Sequence, residues 1–128
     1  MIAEFTIDVE PDAKLLKLTL AGFFDQDDVQ RFAVEKAQAH ARLGVPPHSH
    51  VTLVDVRECR IQTQEVATIF ARVLRDSRYR AHRLAFVTAG SLAKMQVRRL
   101  IEGLPHARQF DDEAAARCWL TDELRQAA

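Results

Sequence analysis

The chain is 128 residues long, 48% of them apolar, with 18 Lys and Arg balanced by 18 Asp and Glu. That length suits one domain with a buried interior, so neither disulfides nor a metal is needed to hold it together. A neutral balance gives no global field for nucleic acid or anionic lipid, and no apolar run approaches the ~20 residues of a membrane helix, so nucleic-acid binding and a membrane span are both excluded.

The N-terminus, Met1 to Glu10, carries acids where a secretion signal needs a basic start and an apolar run, so a cytoplasmic location is expected. Phe5, Ile7 and Val9 alternate with Glu4, Thr6 and Asp8, the rhythm of a strand with one wet face. Pro11-Asp12-Ala13 predicts a turn. Leu16, Leu18 and Leu20, alternating with Lys17 and Thr19, predict a second strand, paired with the first as an antiparallel hairpin. Gly22 ends it. After Phe23 and Phe24 the rhythm changes: Val29, Phe32, Ala33, Ala37 and His40 recur at helical spacing. Asp25 is placed to cap this helix, with Asp27 and Asp28 in the first turn, where the helix dipole favours anions. Gly44-Val45-Pro46-Pro47 stops it.

Val51 to Val56 is nearly all apolar and suits a central strand covered on both faces. Thr63 can cap the next helix, whose stripe is Val66, Ile69, Phe70, Val73 and Leu74. Leu84 to Thr88 is another buried-type strand. Gly90-Ser91 opens a helix carrying Leu92, Met95, Leu100 and Ile101, closed by Gly103 and Pro105. A short strand around Ala107 to Phe110 and a last helix from Asp111 through Trp119 and Leu124 complete the chain. The predicted order is β-β-α-β-α-β-α-β-α, a single layered α/β domain over residues 1–128. Its sheet is mainly parallel, with an N-terminal antiparallel hairpin. Cys59 and Cys118 form no CxxC pair and are expected to be reduced thiols, as in the cytoplasm.

Three segments carry a resemblance: Leu20-Ala21-Gly22 before the first helix, Leu53-Val54-Asp55-Val56 on the central strand, and the ending from Phe110-Asp111-Asp112-Glu113-Ala114 to Trp119-Leu120. In that order and spacing they resemble the STAS fold of anti-sigma factor antagonists. The likeness is closer to the bacterial SpoIIAA-like proteins, small stand-alone domains also compared with the lipid-binding CRAL-TRIO (Sec14) fold. The ending is similar to the family's F-D-x-x-E-A-x-x-W-L close, with altered spacing between its residues. The resemblance spans essentially the whole chain and implies a SpoIIAA/STAS-like fold with a regulatory role. In phosphorylatable STAS domains an Asp-Ser-Ser-Gly-like segment opens the second helix, and phosphorylation of a serine there breaks partner docking. The matching stretch here, Arg60 to Val66, has neither serine nor glycine. Thr63 is its only hydroxyl and is accounted for by capping, so the usual phosphoserine switch is not expected.

Ligands of open α/β sheets sit beyond the carboxyl ends of the strands. Those ends offer Asp25, Asp55, Arg57, Thr63, Thr88 and Ser91. Asp25 and Asp55 could share acid–base work if they met, but capping explains the first and solvation or a strand-end hydrogen bond the second. Ser91 follows Gly90 at a helix start, where an anion could rest on free N–H groups. No GxGxxG or GxxxxGK motif surrounds it, however, and it lies in no GxSxG elbow. Cys59 has no motif around it. Pro46-Pro47-His48-Ser49-His50 reads as a solvated loop, because its histidine spacing matches no common zinc pattern. His40, His82 and His106 read as helix-face or loop residues. No catalytic residue, metal ligand or cofactor is expected. Between Arg72 and Arg99 eight Lys and Arg face one acid, Asp76, whereas the first forty residues hold eight acids and four bases. This dipolar pattern reads as a solvated face, with docking to an acidic group as the alternative.

The first expectation for function is a non-enzymatic regulatory or protein-interaction module without the phosphoserine switch. It would meet another protein through the helix Thr63 to Arg75 and the loop before it. The candidate patch is Asp25, Asp55, Arg57, Thr63, Glu65, Arg72 and Ser91. The alternative, implied by the CRAL-TRIO likeness, is a small apolar-ligand or lipid binder. Its pocket between helices and sheet would be lined by Phe23, Phe24, Phe32, Phe70 and Leu74, side chains that otherwise fill the core. An enzyme comes third, for want of converging polar groups. A homodimer through an edge strand or helix face is compatible with the architecture.

Overall fold

The computed structural model describes the backbone of residues 2–127 and side chains as far as Asp122; Leu124, expected on the last helix, lies outside the described side chains. The period of two builds β1 (Glu4–Glu10), and a short turn at Pro11–Ala13 returns the chain as β2 (Leu15–Gly22). Their antiparallel register sets Phe5 against Leu20, Ile7 against Leu18 and Val9 against Leu16, so one face of the hairpin is wholly apolar. There follow α1 (Gln26–Leu43), β3 (Val51–Cys59), α2 (Gln64–Arg75), β4 (Arg83–Val87), α3 (Ser91–Ile101), β5 (Ala107–Phe110) and α4 (Glu113–Ala127).

The strands form one five-stranded sheet in the order β1-β2-β3-β4-β5, antiparallel at the first pair and parallel thereafter. Because each parallel crossover advances in the same direction with the same hand, α1, α2 and α3 fall on one face of the sheet. There Phe32, Val66, Leu74 and Val97 close over Leu16, Leu18, Leu20, Val54 and Phe86. No strand follows β5, so α4 folds back across the other face, setting Ala116 and Leu120 on Leu15, Val51, Leu53, Ala85 and Val87. β3 is therefore covered on both sides, as its unbroken apolar run requires.

Two readings of the sequence are corrected. The buried stripe of α1 is Val29, Phe32, Lys36, Ala39 and Leu43, not the run through Ala33, Ala37 and His40, which are only partly buried. A lysine occupies a core position. His50 is not in a solvated loop: it is 1% exposed, because it immediately precedes β3 and points under α1 with the strand's apolar residues. Gly22 is required where it stands. Its φ is +88°, and a Cβ there would lie 2.3 Å from the carbonyl oxygen of Ile2. Among the described residues no helix is long and apolar enough to cross a membrane.

Candidate functional site

At the carboxyl ends of the parallel strands, one side chain ties three segments together. The Gln62 amide oxygen accepts from the Phe24 N–H (2.8 Å), while its nitrogen donates to the carbonyls of Gly22 (3.0 Å) and Arg60 (2.7 Å). Its backbone exchanges two more bonds with the Gln96 side chain on α3, at 3.0 and 2.9 Å. The loops after β2 and β3 and the middle of α3 are thus locked together. Nothing in the sequence pattern singled out Gln62 or Gln96, since an amide in a loop carries no periodic signal.

Beside this clamp, α2 and α3 diverge and leave an open groove of about 410 Å³. Its floor is apolar, formed by Ala67, Ala71 and Leu100, and Ile61, Leu92 and Met95 stand at its sides, 45%, 68% and 52% exposed. The charged groups lining it are Arg75 and Arg99, and no acid joins them. α2 carries the sharpest apolar stripe of the chain and buries it; the side turned to α3 bears the small residues that open the groove.

The expected patch residues divide between two faces. Asp25 caps α1 in a reciprocal box with Asp28, at 2.8 and 2.9 Å. Thr63 caps α2, its hydroxyl accepting from the Val66 N–H at 3.1 Å. Glu65 accepts from the Gln26 side chain, joining the starts of α1 and α2. Arg72 is exposed on α2, and Ser91 is exposed at the first turn of α3. Asp55 and Arg57 point to the opposite side, under α4, where Arg57 grips Asp55 with two bonds of 3.0 and 2.7 Å. Burial alone would raise the Asp55 carboxyl, but this contact and the Arg57 N–H hold it below the usual range. Asp25 and Asp55 are therefore not brought together, and each is held by its own partner. Burial pushes the Cys59 thiol up to about 12, leaving it protonated and a poor nucleophile.

The expected apolar pocket is only partly assembled. Phe24 and Phe70 line a cavity of about 70 Å³ beneath α2 and α3, together with Leu20, Val56 and Val97. Phe32 lies fully in the core, stacked on Phe70 at 5.3 Å and edge-on to Phe5 at 5.5 Å. Leu74 is buried further along α2, and Phe23 is 43% exposed. Ligand pockets run to several hundred Å³, so this cavity is too small for a lipid chain. Among the described residues no group of three or more His, Cys, Asp or Glu could hold a metal ion.

No family model matches the sequence, and no curated protein is similar enough in sequence to match it. Solved structures do match. An uncharacterised protein of the DUF3478 family from Shewanella loihica, with a SpoIIAA-like fold, superposes with a TM-score of 0.69 at 20% identity, covering 92% of this chain and 93% of that one. An anti-sigma factor antagonist from Mycobacterium paratuberculosis superposes with a TM-score of 0.63 at 10% identity, covering 93% and 94%. The fold of this chain is SpoIIAA-like, with the succession of elements, the mainly parallel sheet and the hairpin that the sequence led us to expect.

Proposed function

We propose that residues 1–128 act as one non-enzymatic regulatory module, which docks another protein in the groove between α2 and α3 and on the loops clamped by Gln62. The observation that carries this reading is the groove itself: an apolar floor with three exposed large apolar side chains at one spot. Structural likeness to an anti-sigma factor antagonist supports a regulatory, protein-binding role. The engagement of Asp25, Asp55 and Thr63 in caps and ion pairs speaks against catalysis at the strand ends. Thr63 serves α2 as a cap, so docking here is not governed by a phosphoserine. The free thiols Cys59 and Cys118 suit the cytoplasm. The 70 Å³ cavity gives the apolar-ligand alternative little support.

The test compares wild type with the double variant Leu92→Glu, Met95→Glu as affinity baits, circular dichroism and melting temperature showing that both are folded. These positions are exposed, so the fold should tolerate them. A protein retained in stoichiometric amount by wild type and lost by the variant is the expected result. Equal retention by both baits would remove the groove from the interface.

A further inference from the structure

At the far end of the molecule, beneath the amino ends of β3 and β4, a second set of polar groups is buried, and the carboxylate that acts on it, Asp76, stands outside ion-pair distance. Lys36 is 3% exposed, and no carboxylate of the described residues lies within ion-pair distance of it. Its Nζ sits 2.9 Å from Nε2 of His40 and 5.7 Å from the centre of the Tyr79 ring. His40 stacks on Tyr79 at 5.0 Å and meets the edge of His50 at 4.7 Å. Both ring nitrogens of His50, and the hydroxyl of Thr52 on the same side of β3, are buried with no hydrogen-bond partner. A buried cation with no direct ion pair and a buried imidazole without partners are each costly. An apolar residue would fill either position more cheaply.

Two spaces adjoin these groups, and their sizes differ decisively. Lys36 and Thr52 line one of about 10 Å³, which holds at most a water molecule. The other measures about 230 Å³ and is walled by Ala37, His40, Val45, His50 and Tyr79, with Arg78 at its mouth. No acid lines it. Asp76 stands just outside, holding Arg78 by two bonds of 3.1 and 2.7 Å.

We infer that this cavity is a binding site for a phosphate group, free or carried on a small phosphomonoester. With its Nε2 taken by the Lys36 amine, His40 keeps an N–H to donate, and the unpartnered His50 has a lone pair to offer. A phosphate monoanion answers both, with oxygens that accept and a P–OH that donates, whereas a carboxylate only accepts. Lys36, directly behind His40, supplies the balancing positive charge, and Arg78, whose Nε and Nη2 are held by Asp76, has its remaining N–H groups at the mouth for phosphate oxygens. The volume admits a phosphate and a short carbon stem and excludes a nucleotide. Burial pushes the Lys36 amine down to about 8, against a smaller opposing pull from the Asp76 carboxylate. Burial and the Lys36 charge push His40 down to about 3 and His50 to about 4, so both rings are neutral at pH 7.

The experiment follows the histidine ring ¹⁵N signals by NMR at pH 7 and constant ionic strength, titrating inorganic phosphate, glycerol phosphate or acetate. Saturable shifts of the His40 and His50 rings with either phosphate are expected. The tighter of the two tells whether the free anion or a phosphomonoester is the better ligand. Lys36→Met should weaken binding by about tenfold or more, and Arg78→Gln, an exposed change that leaves the core alone, should weaken it as well. Asp76→Asn should strengthen it by releasing Arg78. The inference fails if no phosphate saturates, if acetate binds as well, or if Lys36→Met and Arg78→Gln bind like wild type.

Discussion

A lysine at the centre of a buried stripe is the least expected residue in this chain, and it explains why α1 was misread. Without an apolar side chain at position 36, the helical rhythm slides to Ala37 and His40, although the sheet actually meets Lys36 and Ala39. His50 is hidden for a different reason: two prolines and two histidines look like loop, and only the start of β3 shows that His50 is already buried. The energetic consequence is testable. Lys36→Met should stabilise the fold by roughly 1–3 kcal/mol at neutral pH, because an uncompensated buried charge is exchanged for a methionine of similar shape. The amine titrates at about 8 in the fold against 10.5 when free, so the native state is the one that prefers it neutral. The advantage of methionine should be complete below pH 8 and fade as pH rises towards 10.5, as urea denaturation across that range would show. A site kept at such a cost is consistent with use rather than stability.

The histidines act in the opposite pH range. His50 titrates at about 4 in the fold and at 6.5 when exposed, and His40 at about 3. The unfolded chain therefore takes up protons first. Stability should be full above pH 6.5 and fall as pH drops towards 4, starting above the range in which carboxylates protonate. His50→Leu should flatten part of this acid arm in urea melts between pH 4 and 6.5, whereas an unchanged slope would mean that His50 is not neutral in the fold.

At the scale of elements, the sequence showed where helices and strands lie but not what ties their ends. Gly22 was legible as the end of β2, and Asp25 and Thr63 as caps, because turn and cap chemistry is local. The clamp of Gln62 was not, since its five bonds exist only once the loops after β2 and β3 meet α3. Gln62→Ala keeps the backbone exchange with Gln96 but strands the Phe24 N–H and takes a donor from the carbonyls of Gly22, which keeps the Arg60 N–H, and of Arg60. It should cost about 2 kcal/mol of stability, measured by urea denaturation. The same deletion should speed amide exchange at Phe24 while leaving the β3 and β4 core amides protected.

For the whole molecule, the succession of strands and helices could be read from alternating periods, but the swing of α4 to the other face could not, because a helical stripe does not say which side of the sheet it meets. What seats α4 there is partly apolar and partly a chain of charges. Glu113 reaches Lys17 at 3.0 Å, Arg117 at 2.8 Å and Arg57 at 3.6 Å, while Arg117 grips Glu10 with two bonds of 2.9 and 2.8 Å. One carboxylate thus bridges β2, β3 and α4, and bonds from Arg117 and Lys17 hold it below the usual range. Pairs this close to solvent are individually weak, but a shared node touches three cations at once. Glu113→Ala should therefore destabilise by about 1–2 kcal/mol in dilute buffer, and salt at ~1 M should erase much of that difference by screening. Equal losses at both salt concentrations would show that α4 is seated by Ala116 and Leu120 alone, and that the charges on this face serve something other than holding it closed.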